Sequence, residues 1–237
     1  MRILLANPNA TAAITEACLA LARAVASPGT EVVPWTNAEG PVVVDSFLGD
    51  YAAGRPLLLG LQALRPTPDA VVLAGFGNYG TFAAKEMLAV PVVGMAEAAM
   101  ALAALLAHRF AILTTHPRMV PYTEDLVRLL GFEAKCAAVR AVALPAATEP
   151  QPPAGRVLAD LAEAAGRVIE EAGADAIVLG GSCLSPWAAD LATRARLPVL
   201  EPVACGVRVA EALVGLGLAQ SKHRKFAPPP QPLDAYR

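Results

Sequence analysis

Two short apolar runs, each ending in glycines, constrain the fold of this chain more than any other feature. The first extends from Asp69 to Gly77 and the second from Asp175 to Cys183. Both consist mainly of β-branched and aliphatic residues, a pattern typical of a parallel strand that is buried on both faces. In open α/β sheets, ligands bind in the loops at the carboxyl ends of such strands. The two runs therefore predict two similar α/β halves, each with a candidate binding loop.

The spacing of corresponding residues indicates an internal duplication. Asp175 follows Asp69 by 106 residues (175 − 69), and Pro198 follows Pro91 by 107 (198 − 91). A period of this length predicts two sister domains rather than a solenoid. We expect an α/β protein with two pseudo-symmetric Rossmann-like domains and mainly parallel sheets.

The domain boundaries follow from the same repeat. Residues 1–96, with a returning C-terminal helix and tail at 201–237, are predicted to form the first domain, and residues 97–200 the second. The basic stretch 221–225 is either a solvated tail or a segment laid across the neighbouring domain or subunit. Prolines at 145, 150, 152 and 153 predict a loop in the second half.

Composition narrows the class of protein and its partners. The chain is 55% hydrophobic and 17% charged, yet no apolar run reaches the roughly 18 residues of a membrane span, and no signal-peptide pattern opens the sequence. The four cysteines show no paired spacing, which argues against a disulfide framework or a metal site and favours the cytoplasm. With a net charge of −2 and scattered basic residues, nucleic-acid binding has no support. We therefore expect a small-molecule ligand.

Four loops carry the candidate binding residues. They are rich in Gly, Asn, Ser or Thr, and each precedes a predicted helix, where free amides and the helix dipole suit a carboxylate or a polarised carbonyl. Turn chemistry and capping would explain any single loop, whereas symmetric placement favours binding. The predicted ligand contacts are Asn9, Thr11, Gly75, Phe76, Asn78, Tyr79, Thr114, Thr115, Gly181 and Ser182.

Several motifs add a family resemblance. The loop Asn7-Pro8-Asn9 resembles the opening motif of the aspartate/glutamate racemase superfamily, and of its hydantoin/allantoin racemase branch in particular. The same branch is matched by Met95–Ala99, Thr114–Pro121, Glu124–Leu126, Val178–Gly181 and the ending Ser221–Arg237. The resemblance implies two pseudo-symmetric domains with the active site in the cleft between them, no cofactor, and a homo-oligomer.

The chain departs from this family at the positions that matter most. Family racemases carry a cysteine at each of the positions that here are Gly75 and Gly181. One thiolate takes a proton from the substrate α-carbon, and the other thiol returns one to the opposite face, which requires ionisable groups with suitable pKa values. Glycine can do neither. The usual Asp-Pro after the first position is also replaced, by Asn78-Tyr79.

Cys183 is the candidate substitute for the missing thiols. It lies two residues after Gly181, a stretch of chain that spans at most about 7 Å, so a different loop path could bring its sulfur to the site. A small buried hydrophobe is the alternative interpretation. Cys205 is assigned to a packing surface, while Cys18 and Cys136 are assigned to the core. His116 stands in the loop after Thr115, either near the site or with a surface role.

These features support functional hypotheses of two classes. The first is a cofactor-independent isomerase-superfamily enzyme that acts on a hydantoin-like ring or an α-substituted carboxylate and stabilises an enolate or oxyanion. Its open variants are one-base proton transfer, decarboxylation, and hydrolytic or desulfurising attack on a (thio)hydantoin with Cys183 as the candidate group. The second is a non-catalytic homologue that binds a small molecule. Two-cysteine racemisation is not expected in either case.

Overall fold

The computed structural model describes residues 1–142, 144 and 153–236. In chain order its elements are β1 (Arg2–Asn7), α1 (Ala12–Val25), β2 (Glu31–Thr36), α2 (Phe47–Ala63), β3 (Ala70–Leu73), α3 (Thr81–Met87), β4 (Val92–Gly94), α4 (Met95–Leu106), β5 (Phe110–Thr114), α5 (Met119–Leu130), β6 (Cys136–Ala141), α6 (Ala154–Ala172), β7 (Ala176–Leu179), α7 (Ala188–Ala195), β8 (Val199–Leu200) and α8 (Pro202–Gly215). Within the described ranges, no helix has the length and hydropathy that crossing a membrane requires.

The chain forms two compact units. One comprises residues 1–95 and 206–237, and the other residues 96–205. The first contains a four-stranded parallel sheet with the strand order β2-β1-β3-β4. The second contains a four-stranded parallel sheet with the order β6-β5-β7-β8. The predicted α/β class with two parallel sheets is therefore confirmed, and the matching strand orders agree with a duplicated unit.

The central strands are buried for the reason that the sequence suggests. All four residues of β3 and all four of β7 are buried, because helices cover both faces of a parallel sheet. The aspartate before each strand makes the same contact in each unit. Asp69 Oδ2 accepts a hydrogen bond from the Arg2 N–H at 2.6 Å, and Asp175 Oδ1 accepts one from the Arg109 N–H at 2.9 Å. The hydrogen bond from the Arg109 N–H lowers the pKa of Asp175 below its ordinary value.

The second unit contains a strand and a helix that the sequence patterns did not single out. They are β6 and α6, the counterparts of β2 and α2 in the first unit. Helix α6 buries an apolar stripe that includes Val157, Leu161 and Val168 at helical spacing. Pro153 directly precedes it, whereas the predicted loop prolines at 145, 150 and 152 lie outside the described residues. Cys136, predicted to be core, is only half-buried because it begins the edge strand β6.

The C-terminal tail packs on the first unit. Lys222 Nζ donates to the carbonyl oxygens of Lys85 at 2.5 Å and Glu86 at 2.8 Å, near the C-terminus of α3. Burial lowers the pKa of Lys222. The Lys225 ammonium lies 4.0 Å from the ring centroid of Phe82, a cation–π contact. Lys222 and Lys225 thus contact α3 of their own unit rather than a neighbouring domain, while four of the five residues of the basic stretch 221–225 are exposed.

Candidate functional site

The loop after β1 is organised from within by asparagine side chains. Asn7 is fully buried, and its Nδ2 donates to Asn9 Oδ1 at 3.0 Å and to Thr15 Oγ1 at 2.9 Å. Asn9 Oδ1 accepts a second hydrogen bond, from the Thr11 N–H at 2.9 Å. These short-range bonds replace backbone pairing in the turn. The amide oxygen of Asn9 is therefore engaged in holding the loop, and only its NH₂ group is left as a donor to a ligand.

Two further contacts hold this loop, and the sequence patterns indicated neither. Asn37, which is 1% exposed, donates from Nδ2 to the carbonyl oxygens of Pro8 at 2.9 Å and Ala53 at 3.1 Å. Thr11, a predicted ligand contact, occupies the N-cap position of α1, but its side chain does not cap the helix. Its hydroxyl donates instead to the Val42 carbonyl at 2.7 Å. Asn37 has no repeat partner or motif in the sequence that would have identified it.

The loop after β3 is closed at the position of the missing cysteine. A Cβ atom built on Gly75 would lie 2.3 Å from Cε2 and 2.5 Å from Cδ2 of Tyr79, and 2.7 Å from Cγ of Pro8. The Tyr79 ring is itself only 5% exposed. The space of a cysteine side chain is thus filled by the aromatic ring and the proline. This contact also places the loops after β1 and β3 next to each other within the first unit.

The same loop holds two buried polar atoms without hydrogen-bond partners. They are Asn78 Oδ1 and Thr81 Oγ1, and no other buried side-chain oxygen or nitrogen in the described part of the chain lacks a partner. Thr81 is 3% exposed. Tyr79 lies between them with a backbone φ of +33°, in the left-handed region that non-glycine residues rarely adopt. Phe76 is buried at the start of the loop.

The corresponding loop of the second unit is open. Among the described residues, a Cβ atom on Gly181 would meet Cys183 Sγ at 3.4 Å and Thr115 Cγ2 at 3.7 Å, which are ordinary contacts. The φ of Gly181 is 170°, an extended backbone that any residue adopts. Gly181, Ser182 and Thr115 are half-buried, and Cys183 is exposed. A cysteine would therefore fit at position 181, whereas it would not fit at position 75.

A half-buried carboxylate, that of Glu201, anchors the end of this loop. Ser185, 4% exposed, donates from its hydroxyl to Glu201 Oε1 at 2.5 Å. The same carboxylate accepts hydrogen bonds from the Val203 and Ala204 N–H groups, at 2.9 and 2.7 Å, and so caps the first turn of α8. Ser185 and Glu201 were not predicted to be functional. Glu201 directly before Pro202 is the sequence signal of this cap.

The remaining ionisable candidates are less suited to proton transfer. Burial raises the pKa of Cys136 to about 11. Burial and the nearby Glu201 carboxylate raise the pKa of Cys205 to about 12, and Cys205 is buried against its neighbours as expected. Both thiols are therefore protonated at neutral pH, which removes the nucleophilic thiolate form. His116 is exposed, and its Nδ1 accepts a hydrogen bond from the Arg118 N–H at 3.4 Å.

Other candidate sites do not compete with these loops. Among the residues that the structure describes, no group of three His, Cys, Asp or Glu side chains is placed to hold a metal ion. A surface pocket of about 380 Å³ lies between the end of β2 and helix α2, with Trp35, Glu39 and Arg55 in its wall. It contains none of the predicted ligand contacts. The prediction that the loops of both units serve one active site stays a prediction.

The sequence matches one family and its members along nearly its whole length. The family described as Asp/Glu/hydantoin racemase matches residues 3–210. A hydantoin racemase of Paenarthrobacter aurescens is 34% identical over 233 residues, which cover 97% of this chain and 98% of the relative. A hydantoin racemase of Rhizobium meliloti is 37% identical over 233 residues, covering 97% of this chain and 95% of the relative.

A solved structure shows the same architecture. The allantoin racemase of Pseudomonas fluorescens is 38% identical in sequence and superposes with a TM-score of 0.93, covering 98% of each chain. The resemblance that the motifs indicated is therefore confirmed.

Proposed function

Because the chain belongs to the Asp/Glu/hydantoin racemase family, in its hydantoin/allantoin racemase branch, we propose that it is an enzyme acting on a hydantoin-like ring through one-sided proton transfer. In this proposal Cys183 is the single acid–base group. The relatives named as hydantoin and allantoin racemases supply the class of substrate, a small cyclic ureide. The loops of the second unit supply the reacting side chain.

The position of the Cys183 sulfur carries this proposal. It lies 3.4 Å from the point at which a side chain on residue 181 would begin. The family's thiol is missing at Gly181, but a thiol from two residues further along stands next to the same space. Cys183 is exposed, so solvent protons can exchange with it. Neither Cys136 nor Cys205 offers a comparable group, because the pKa of each is raised by burial.

The first unit supports a one-sided reaction. The space next to Gly75 is filled by Tyr79 and Pro8, so no thiol can stand there. In the proposed step the Cys183 thiolate takes the proton from the ring carbon C5, and the electron pair moves to the adjacent carbonyl as an enolate. The thiol then returns a proton to the same face of C5. Donors such as the Thr115 hydroxyl and the Ser182 N–H would stabilise the enolate oxygen.

Proton exchange at C5 tests this reaction. An optically pure 5-substituted hydantoin is incubated with the protein in deuterated buffer near neutral pH, and NMR and optical rotation are followed together. We expect deuterium to enter C5 while optical activity is retained, because one thiol serves one face. Cys183→Ser should lower the exchange rate by about 10²-fold or more, the usual cost of losing a general acid or base. Cys136→Ser is the matched control and should leave the rate unchanged.

The other outcomes assign other functions. If Cys183→Ser still exchanges the C5 proton at the unmodified rate, another group transfers the proton, and the proposed role of this thiol is wrong. Fast loss of optical activity with deuterium uptake would show two-sided racemisation. Hydantoin binding without any exchange would identify a binding protein, the function that the covered Gly75 favours as second candidate.

A further inference from the structure

Several unfavourable features of the first unit lie together in the turn after β3. The two buried polar side-chain atoms that lack partners within the described residues, Asn78 Oδ1 and Thr81 Oγ1, are three residues apart. Between them lie Tyr79 at φ +33° and Gly80 at φ +82°, and the Thr81 N–H donates to the Asn78 carbonyl to close the turn. Buried polar groups in native proteins nearly always form hydrogen bonds. Two buried atoms without hydrogen bonds in one turn therefore call for a functional explanation.

The chemistry of the two atoms defines what would satisfy them. An amide oxygen such as Asn78 Oδ1 only accepts hydrogen bonds, whereas a hydroxyl such as that of Thr81 can donate one. A ligand with an N–H next to a carbonyl group offers the complementary pair. A carboxylate carries acceptors only, so it would satisfy Thr81 and leave Asn78 unpaired. The turn therefore favours an amide edge over a carboxylate.

We propose that Asn78 and Thr81 select cyclic ureides by binding their amide edge. The ring N–H donates to Asn78 Oδ1, and the Thr81 hydroxyl donates to the adjacent ring carbonyl. This inference rests on the proposed function, because it takes the loop after β3 as part of the ligand site. Both atoms are shielded from solvent in this structure, so the ligand has to open the turn. Its binding should change the surroundings of the Tyr79 ring, because Tyr79 belongs to the same turn and its ring packs beside Gly75.

The test is a binding series measured by calorimetry on the full chain. The probes are hydantoin, its 1-methyl and 3-methyl derivatives, and N-carbamoylglycine as the open-chain carboxylate. We expect hydantoin to bind most tightly, and at least one N-methyl derivative and the carboxylate to bind at least tenfold more weakly. Asn78→Leu and Thr81→Val should each weaken hydantoin binding at least tenfold, and Asn78→Leu should also abolish discrimination against the N-methyl ring. NMR of the tyrosine rings, with assignment through Tyr79→Phe, should show a shift of the Tyr79 signals on binding.

Thermal stability separates a binding role from a structural one. Because neither atom has a hydrogen-bond partner among the described residues, these apolar substitutions should leave the melting temperature unchanged or raise it. Thr81→Ser keeps the hydroxyl and should keep the binding, which guards against a misfolded Thr81→Val. Thr193→Val is the matched control, since that hydroxyl donates to the Ala189 carbonyl on the exposed face of α7.

The outcomes for this inference and for the proposed reaction are distinguishable. Unchanged hydantoin affinity and unchanged discrimination in both variants, or tighter binding of the carboxylate than of the ring, would overturn the inference and leave Cys183 chemistry untouched. Binding that depends on Asn78 and Thr81 without exchange at C5 would support the inference and overturn the proposed reaction. Failure of the unmodified protein to bind any of the rings would overturn both.

Discussion

Restoring the family cysteine at position 75 should destabilise this protein, because the Tyr79 ring already occupies the space. In Gly75→Cys the new Cβ would lie 2.3 Å from Cε2 of Tyr79 and 2.7 Å from Cγ of Pro8. Carbon atoms in favourable contact are about 3.5–4.0 Å apart. Tyr79 is only 5% exposed, so its ring cannot simply swing into solvent. The substitution therefore requires both the ring and the turn to move.

The cost follows from the size of this overlap. Inserting atoms into a well-packed core typically costs about 1–3 kcal/mol. We expect about 3 kcal/mol for Gly75→Cys, because the overlap involves a ring and a proline rather than the end of a flexible side chain. That corresponds to a decrease of about 6–12 °C in melting temperature. In Gly181→Cys the nearest atom of the described residues to the new Cβ is 3.4 Å away, and the extended backbone accepts any residue. Its cost should stay within about 0.5 kcal/mol.

Urea and thermal unfolding followed by circular dichroism measure both variants side by side. A double-mutant cycle with Tyr79→Ala isolates the cause, because the ring is then absent. We expect Gly75→Cys to cost at least about 2 kcal/mol less in the Tyr79→Ala background, within the range of coupling between residues in contact. Equal stability of the Gly75→Cys and Gly181→Cys proteins would refute the argument, as would equal costs of Gly75→Cys with and without the ring.

Two further predictions concern other hydrogen bonds of the first unit. Asn9→Ala should lower the free energy of unfolding by about 1–2 kcal/mol in urea titrations, because it removes the acceptor for Asn7 and Thr11, so a loss of ligand binding in this variant has to be corrected for stability. The second prediction concerns Glu211 and the pH dependence of the stability of the fold. Burial raises the pKa of Glu211, but its hydrogen bonds, first of all that from the Ser27 N–H, outweigh burial and hold the pKa below its ordinary value of 4.5. A carboxyl group with a lowered folded-state pKa stabilises the fold above the unfolded pKa and loses this effect as pH falls through the folded one. Unfolding curves of Glu211→Gln should therefore show lower stability than the unmodified protein at pH 7, with the gap closing below about pH 4; a gap that stays constant with pH would contradict this.

The sequence alone was sufficient for the fold class and for the chemical departure from the family, although it did not single out β6 and α6. The runs after Asp69 and Asp175 predicted buried parallel strands because strands covered on both faces need continuous apolar residues. The nearly equal offsets between corresponding residues of the two halves, 106 and 107, predicted a duplication, and the two strand orders agree with it. The absence of both cysteines was also evident from the sequence, because the residue type at positions 75 and 181 can be read without a structure.

Only the tertiary structure decided what stands in place of those cysteines. The sequence could not show that Tyr79 covers Gly75, because this contact depends on a left-handed φ at Tyr79 rather than on any residue pattern. It also could not show that the Cys183 sulfur reaches the space beside Gly181, or that Asn78 Oδ1 and Thr81 Oγ1 find no hydrogen-bond partner in the part of the chain that the structure describes. Local patterns record which residues favour a strand or a turn. Which side chains fill the space beside a glycine depends on the packing of loops that are distant in the chain.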